Sequence, residues 1–471
     1  MSAKTTPLEE LCELVVDCPH STPKWKSEGV IVLRNQNIRN GQLDLSSPSY
    51  TDEEGYQSRI KRAVPQAGDI VFTREAPMGE VCLIPEGLKC CLGQRQVLLR
   101  PKKEISGEYL YWALQSPFVQ HQISWNEGTG TTVSNVRIPV LKSLEIPRQS
   151  EHEQSIANIL GALSERIQSN HQINQTLEKI AQAIFKSWFV DFEPVKAKIA
   201  ALEAGGSEED ALFTAIQAIS GKTTDELARL QAEQPDRYAD LRATAELFPS
   251  TLEDSELGGI PEGWDTCQAH ERFEITIGKT PPRKEPHWFT EDPKDIKWLS
   301  IKGMGDGNVF SSVTEEYLIA DAVAKHNVKI CPPGTVLLSF KLTLGRVMIC
   351  SSEMTTNEAI AHFRINDDSP GTYWTYLWLS SFDYSSLGST SSIATAVNSK
   401  TIKGMQFVVP NPVLLNYFES KMEPIFQQIQ TTQENSCSLA ELRDALLPKL
   451  LTGELELPDK GLGQSEEAAH V

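Results

Sequence analysis

Gly68-Asp69-Ile70-Val71-Phe72-Thr73-Arg74, followed by Gly79-Glu80-Val81-Cys82-Leu83-Ile84, reads as two short apolar strands joined by a glycine-containing turn. The same phrase returns about 260 residues later. There it runs Gly334-Thr335-Val336-Leu337-Leu338-Ser339-Phe340-Lys341, then Gly345-Arg346-Val347-Met348-Ile349-Cys350. A repeat at a fixed spacing says that one structural unit is built twice. The flanks agree. Ile31-Val32-Leu33-Arg34 matches Lys297-Trp298-Leu299-Ser300, and Thr22-Pro23 with Trp25 matches Thr280-Pro281 with Trp288. Gly128-Thr129-Gly130-Thr131-Thr132-Val133-Ser134-Asn135 matches the Gly/Ser/Thr-rich loop from Gly388 to Asn398. Each unit closes on Ile146-Pro147 or Val409-Pro410 and enters a helix.

The two helices repeat as well. One apolar seam reads Ile156, Leu160, Leu163, Ile167, Asn170, Asn174, Leu177, Ala181, Ile184, Trp188. The other reads Phe418, Met422, Ile425, Ile429, Thr432, Ser436, Leu439, Arg443, Leu446, Leu450. Steps of four and three alternate in both, which is heptad spacing and predicts a coiled pair. Each member of the second series lies 262 positions beyond its mate. Helices of this reach are roughly 50–60 Å long. In both seams the fifth and sixth members are polar. They either fix the register of the pair or mark a wet gap where the helices splay.

Composition bounds the rest. A chain of 471 residues, 40% hydrophobic, exceeds one core. No apolar run approaches the roughly 18 residues of a membrane span. The segment from Met1 to Leu14 carries Glu9, Glu10 and Glu13, which is not the pattern of a signal peptide. Nine scattered cysteines without a C-x-x-C suit a reducing cytoplasm and argue against zinc or a disulfide framework. The net charge of −19 is unevenly spread. Residues 1–150 hold 17 basic and 17 acidic side chains, whereas residues 195–258 hold 6 and 13. The large units therefore remain able to present a cationic face, although no long basic run announces one.

Catalytic signatures are missing. Gly221-Lys222-Thr223 and Gly278-Lys279-Thr280 resemble the end of a phosphate loop, but Ile216 and Phe273 stand where its first glycine belongs. Asn411-Pro412-Val413 lacks the second proline and ring of an adenine-methylating loop. The histidines show no metal-ligand spacing, and no G-x-S-x-G occurs. Acidic groupings such as that near Asp236 arise by chance in an acidic chain.

Four further stretches carry a family resemblance. Phe185-Lys186-Ser187-Trp188-Phe189-Val190-Asp191-Phe192-Glu193-Pro194 resembles the end of the central helix of type I restriction-modification specificity subunits. The stretch from Leu442 through Leu450 to Leu455 resembles their C-terminal helix ending. Asp17-Cys18-Pro19-His20-Ser21-Thr22-Pro23-Lys24-Trp25 and Gly259-Ile260-Pro261-Glu262-Gly263-Trp264 are similar to the starts of their two recognition domains. The resemblance implies an α+β chain with two target recognition domains and two long antiparallel coiled-coil helices, related by a pseudo-twofold internal repeat. On this sequence the domains fall at 1–150 and 259–412, the spacer helices at 151–194 and 413–455. An acidic helical connector occupies 195–258, and residues 456–471 are expected to be disordered. The resemblance further implies a cytoplasmic, non-catalytic subunit that reads one half of a split double-stranded DNA target with each domain. Two methyltransferase subunits and two restriction/translocase subunits would be its partners. S-adenosylmethionine, ATP and Mg2+ would serve those partners, with no cofactor and no metal on this chain.

Base reading in the major groove favours Arg or Lys on guanine and Asn or Gln on adenine. The candidate DNA-binding residues of the first domain are Arg34, Asn35, Gln36, Asn37, Thr73, Arg74, Gln94, Arg95, Thr129, Thr131 and Ser134. Those of the second are Lys302, Ser339, Lys341, Thr343, Arg346, Asn357, Ser391 and Lys400. Each has an alternative reading as a capped turn or a strand-edge surface residue. His20 is read as a packing or hydrogen-bonding residue. Two other functional classes stay open: an enzyme in which modification and recognition are fused, and a scaffold that binds no DNA.

Overall fold

The structure is a computed structural model, and residues 4–125, 135–311, 314–341, 343–387, 397–455 and 457 are described. The chain divides into two compact units, residues 1–168 with 437–471, and residues 169–436.

Two main sheets build the first unit, beside two short two-stranded pairs, Thr5–Pro7 with Glu145–Pro147 and Ile38–Arg39 with Gln42–Leu43. Strands β1 (Cys12–Asp17), β2 (Val30–Leu33), β3 (Ser49–Thr51), β4 (Ile70–Thr73), β5 (Val81–Leu83), β6 (Cys90–Leu92) and β7 (Gln96–Pro101) make the main sheets. The larger sheet has the order β1-β7-β4-β5, all antiparallel. The smaller has the order β3-β2-β6, with β2 and β6 parallel. β4 is buried along its whole length, which is why it reads as an unbroken apolar run rather than an alternation.

The second unit repeats this plan. The strands of its two main sheets are β8 (Glu274–Ile277), β9 (Phe289–Thr290), β10 (Ile296–Leu299), β11 (Phe310–Ser311), β12 (Glu316–Leu318), β13 (Val336–Ser339), β14 (Val347–Cys350), β15 (Thr355–Thr356) and β16 (Ile360–Arg364). The larger sheet runs β8-β16-β13-β14-β11 and the smaller β9-β12-β10-β15. Register repeats along with order. Val97 pairs with Phe72 and Asp17 in the first unit, and Ala361 with Leu338 and Ile277 in the second. Leu33 pairs in parallel with Leu92, as Leu299 does with Thr356. β9 and β11 are additions of the second unit.

Three helices complete the frame: α1 (Glu153–Phe185), α2 (Thr372–Ser381) and α3 (Pro412–Thr452). With 33 and 41 residues, α1 and α3 are about 50 and 60 Å long. The unit boundary falls inside both. In the first unit Ile156, Ala157 and Leu160 of α1 meet Leu447, Leu450 and Leu451 of α3 in one core with the larger sheet. Gln149 donates to the Leu451 carbonyl at 2.9 Å and Arg443 to the Ser164 hydroxyl at 3.4 Å, so the helices run antiparallel there. In the second unit Asn170 donates to the Asn435 amide oxygen at 3.0 Å and Asn174 to the Ile429 carbonyl at 3.2 Å. The polar centre of the first seam is thus bonded directly across the helix pair.

The aromatic motif at the end of α1 forms the heart of the second unit. A π-helical turn, Lys186–Val190, swings Trp188 against Phe248 and Phe189 against Phe418, with ring centroids 5.3 and 4.9 Å apart. Phe192, at φ 53°, ends the helix and packs on Trp264. Four short helices follow: Glu193–Glu203, Glu208–Ser220, Thr224–Glu233 and Pro235–Glu246. They enclose a small core of Leu212, Ala215, Ile216, Leu227 and Ala245. The phosphate-loop look-alike here has a structural cause. Gly221 closes one helix at φ 63°, and Thr223 caps the next through the Glu226 N–H. Among the described residues no helix is long and apolar enough to cross a membrane.

Candidate nucleic-acid interface

The duplicated hairpin organises both candidate sites. After β4 the chain turns back, and Gly79 donates to the Thr73 carbonyl at 2.9 Å. The Thr73 hydroxyl accepts the Glu80 N–H at 3.0 Å. After β13 the same bonds recur: Gly345 to the Ser339 carbonyl at 3.0 Å, and the Arg346 N–H to the Ser339 hydroxyl at 3.0 Å. Both glycines sit at positive φ, 85° and 91°, where a side chain would be strained. Thr73 and Ser339 are completely buried. Their hydroxyls are therefore committed to folding the turn and are not presented to a ligand.

In the first unit the loops at the Thr73 end of β4 converge. Arg74 donates through Nη1 to both oxygens of Asp17, at 3.1 and 3.0 Å, and through Nε to the Val136 carbonyl at 3.0 Å. Asn35 donates to the Glu75 carbonyl. Arg95, in the left-handed region at φ 66°, pairs with Glu75 at 3.1 Å. Gln94 donates to the His20 carbonyl at 2.6 Å and meets the Thr22 hydroxyl at 3.4 Å. His20 itself lies 3.2 Å from Asp17. Residues 17–22, 34–37, 74–75, 94–95 and 136 thus form one surface. Asn37 is buried within it. Its amide accepts the Arg34 N–H and donates to the Asp44 carbonyl, both at 2.9 Å. Gln36 is exposed, and so is Arg34, whose guanidinium lies 5.1 Å from the Trp25 ring centre. Thr129, Thr131 and Ser134 lie outside the described residues.

The second unit builds the equivalent surface from other side chains. Asn357 donates its N–H to the Leu299 carbonyl at 3.1 Å, as Gly93 does to Leu33 at 2.7 Å. The Asn357 side chain accepts the Ala359 N–H at 3.1 Å. Arg346 donates to the Ile301 carbonyl at 3.1 Å, tying the hairpin to the loop after β10. Thr343 folds its N–H onto the Lys341 carbonyl at 2.7 Å. Lys302 is bound to both oxygens of Glu315, at 2.8 and 2.9 Å. Lys341 is exposed beside its neighbour Phe340. Lys400 is placed elsewhere, in the helix Ser399–Lys403. That helix packs toward Ala269–Arg272, before β8, rather than at the Ile277 end where the loops meet. Ser391 lies outside the described residues.

Two residues of the first surface, Arg59 and Trp25, are not among the sequence candidates. Arg59 is buried and donates to four carbonyls: Leu92 at 2.7 Å, Gly93 at 2.9 Å, Ser21 at 3.0 Å and Pro19 at 3.2 Å. It clamps the loop carrying Gln94 and Arg95 to the loop carrying His20 and Thr22. Trp25 is 46% exposed, unusual for so large an apolar ring. Trp25 was visible in the repeat as a positional match; nothing in its spacing told that it faces outward.

A family model described as the type I restriction modification DNA specificity domain matches residues 3–179. The HindI specificity subunit of Haemophilus influenzae is 36% identical over 322 residues, 66% of this chain and 69% of that protein. The MjaIX specificity subunit of Methanocaldococcus jannaschii is 26% identical over 403 residues, covering 83% and 78%. Among solved structures, the S subunit of a type I restriction-modification system from M. genitalium aligns with a TM-score of 0.48 at 16% identity, covering 95% of each chain. The HsdS subunit of Thermoanaerobacter tengcongensis aligns with a TM-score of 0.31 at 16% identity, covering 96% and 97%.

Proposed function

The chain belongs to the specificity subunits of type I restriction enzymes, and we propose that it reads a bipartite double-stranded DNA target, one half with each of its two duplicated domains. One observation carries this reading. The framework bonds of the two loop clusters repeat, whereas the side chains displayed on them do not. Gln94 and Arg95 have Glu358 and Ala359 as counterparts, and Arg74 and Glu75 have Phe340 and Lys341. A repeated scaffold with unlike loops is what two half-sites of different sequence require, because side chains at base edges carry specificity.

On this reading the chain contributes recognition and no chemistry. Two methyltransferase subunits dock on it, with the paired helices α1 and α3 as the natural platform, and two restriction/translocase subunits complete the nuclease. S-adenosylmethionine, ATP and Mg2+ belong to those subunits, and the assembly works in the cytoplasm. Because the chain itself is acidic overall, its few placed cations and its partners together supply the attraction for phosphate.

The test is to map methylated bases in a host that expresses the chain with its methyltransferase subunit. A split motif is expected. Replacing residues 1–150 with those of a relative should change one half of that motif and leave the other. A change in both halves, or an unsplit motif, overturns the proposal.

A further inference from the structure

Six cations were candidates for DNA contact at the two loop clusters. Most are already engaged. Asp17 holds Arg74, Glu75 holds Arg95, Glu315 holds Lys302, and the Ile301 carbonyl holds Arg346. A cation held by a carboxylate must leave it before meeting a phosphate or a base, and the separated acid then opposes the DNA. Arg34 and Lys341 differ. Among the described residues neither forms an ion pair with a carboxylate; Glu358 feels the Lys341 charge from beyond bonding distance. Arg34 rests on the Trp25 ring at 5.1 Å, and Lys341 lies 5.4 Å from the Phe340 ring centre. An aromatic face attracts a cation without neutralising it. It thereby restricts the side chain and leaves the charge available.

The placement of the Trp25–Arg34 pair is fixed from below. Lys26 bridges Tyr50 on β3, and the Thr51 hydroxyl donates to the Lys24 carbonyl at 3.2 Å, so the backbone on both sides of Trp25 is tied to that strand. Arg34 leaves the end of β2, the neighbouring strand, and its guanidinium reaches the Ser49 hydroxyl at 3.5 Å. The Arg34 N–H is held by Asn37. Both residues therefore stand on one small sheet at the edge of the converged loops.

We propose that Arg34, carried on Trp25, is the base-reading contact of the first domain, and that Lys341, beside Phe340, is the phosphate anchor of the second. The division follows from donor geometry. A guanidinium is a planar fork whose paired donors suit the paired acceptors of guanine, and the Trp25 ring beneath it limits where that fork can lie. An ammonium is a point charge with no planar preference, which suits phosphate. The inference rests on the DNA-specificity reading above and names which side chains perform it.

The experiment uses the full-length chain co-expressed with its methyltransferase subunit and duplexes carrying its own mapped motif, with a scrambled duplex as control. Arg34→Ala should weaken binding of the motif by about 5- to 150-fold, with little change for the scrambled duplex. Discrimination should collapse at one base pair of one half-site. Equal loss on both duplexes would make Arg34 a phosphate contact and overturn its assignment, as would unchanged affinity. Trp25→Leu should reproduce part of the loss with Arg34 intact; wild-type affinity in that variant would remove the ring from the proposal. Lys341→Ala should weaken both duplexes alike and reduce the salt slope by about one, and an unchanged slope would overturn its assignment. The replaced side chains are all exposed, and an unchanged thermal midpoint will show that each variant is folded. Failure of the wild-type complex to prefer its motif would instead sink the DNA-specificity reading itself.

Discussion

Arg59 shows what a single side chain does for the candidate surface. Burying a guanidinium is unfavourable unless its donors are satisfied, and here four carbonyls from two loops satisfy it. Burial lowers the pKa of Arg59 relative to that of a free arginine. Replacing it by Met leaves those carbonyls without their donor. We expect Arg59→Met to lower unfolding stability by about 3 kcal/mol, measured by urea denaturation, and to make the 17–22 and 92–95 loops more susceptible to limited proteolysis. A variant with wild-type stability and cleavage pattern would show that the loops hold one another without it. Nothing in the sequence marks this arginine, because its partners are main-chain atoms that no side-chain pattern reveals. The polar loop positions were legible as a set, since hairpins put them there. Which of them face outward was not. Thr73 and Ser339 end strands buried on both faces, so their hydroxyls turn inward.

At the scale of elements, the attachment of α2 to α3 is governed by one carboxylate. Gly371 caps α2 without a side chain, and Glu419 of α3 supplies the missing acceptor, taking the Trp374 N–H at 2.7 Å and the Tyr373 N–H at 3.2 Å. A Cβ at Gly371 would fall 2.0 Å from the Glu419 carboxyl carbon, so the close approach requires glycine. Burial pushes the Glu419 carboxyl up to about 7; the main-chain donors pull it down, and Glu423 adds to the rise. In the unfolded chain it titrates near the usual value of about 4.3. The folded state therefore holds this proton more tightly, so its stabilisation is complete below about pH 4 and is lost as pH rises through 7. From this group stability should fall by about 3 kcal/mol between acid and pH 8. Urea midpoints at pH 5 and pH 8 should diverge in the wild type and converge in Glu419→Gln; equal divergence in both would assign the slope to another group. The long helices were legible because heptad spacing survives over many turns, although the first ends at Val190 and not at 194. The contact between α2 and α3 was not, because a glycine and a glutamate far apart in sequence announce nothing about each other.

For the whole molecule, the repeat was the part most visible in the sequence, and its two halves proved to share strand order and register as well as spacing. Less visible was the division of labour along the helices. Core residues of the first unit come from α1 up to Leu160 and from α3 beyond Leu446, while those of the second come from Leu177 onward and from α3 up to Ile429. Residues 163–169 and the opposed 436–442 belong to neither core cluster. If the helix pair sets the gap between the two halves of the target, this stretch is where its length can be changed with least injury to either domain. Removing seven residues from each helix preserves the heptad phase of the seam and shortens the pair by about 10 Å. At about 3.4 Å per base pair, the gap in the methylated motif should contract by about three base pairs, with both half-site sequences retained. Sequencing methylated bases in cells carrying the shortened chain reads this directly. An unchanged gap with intact methylation would mean that the half-site spacing is fixed elsewhere in the assembly, and the spacer role of the helices would fall.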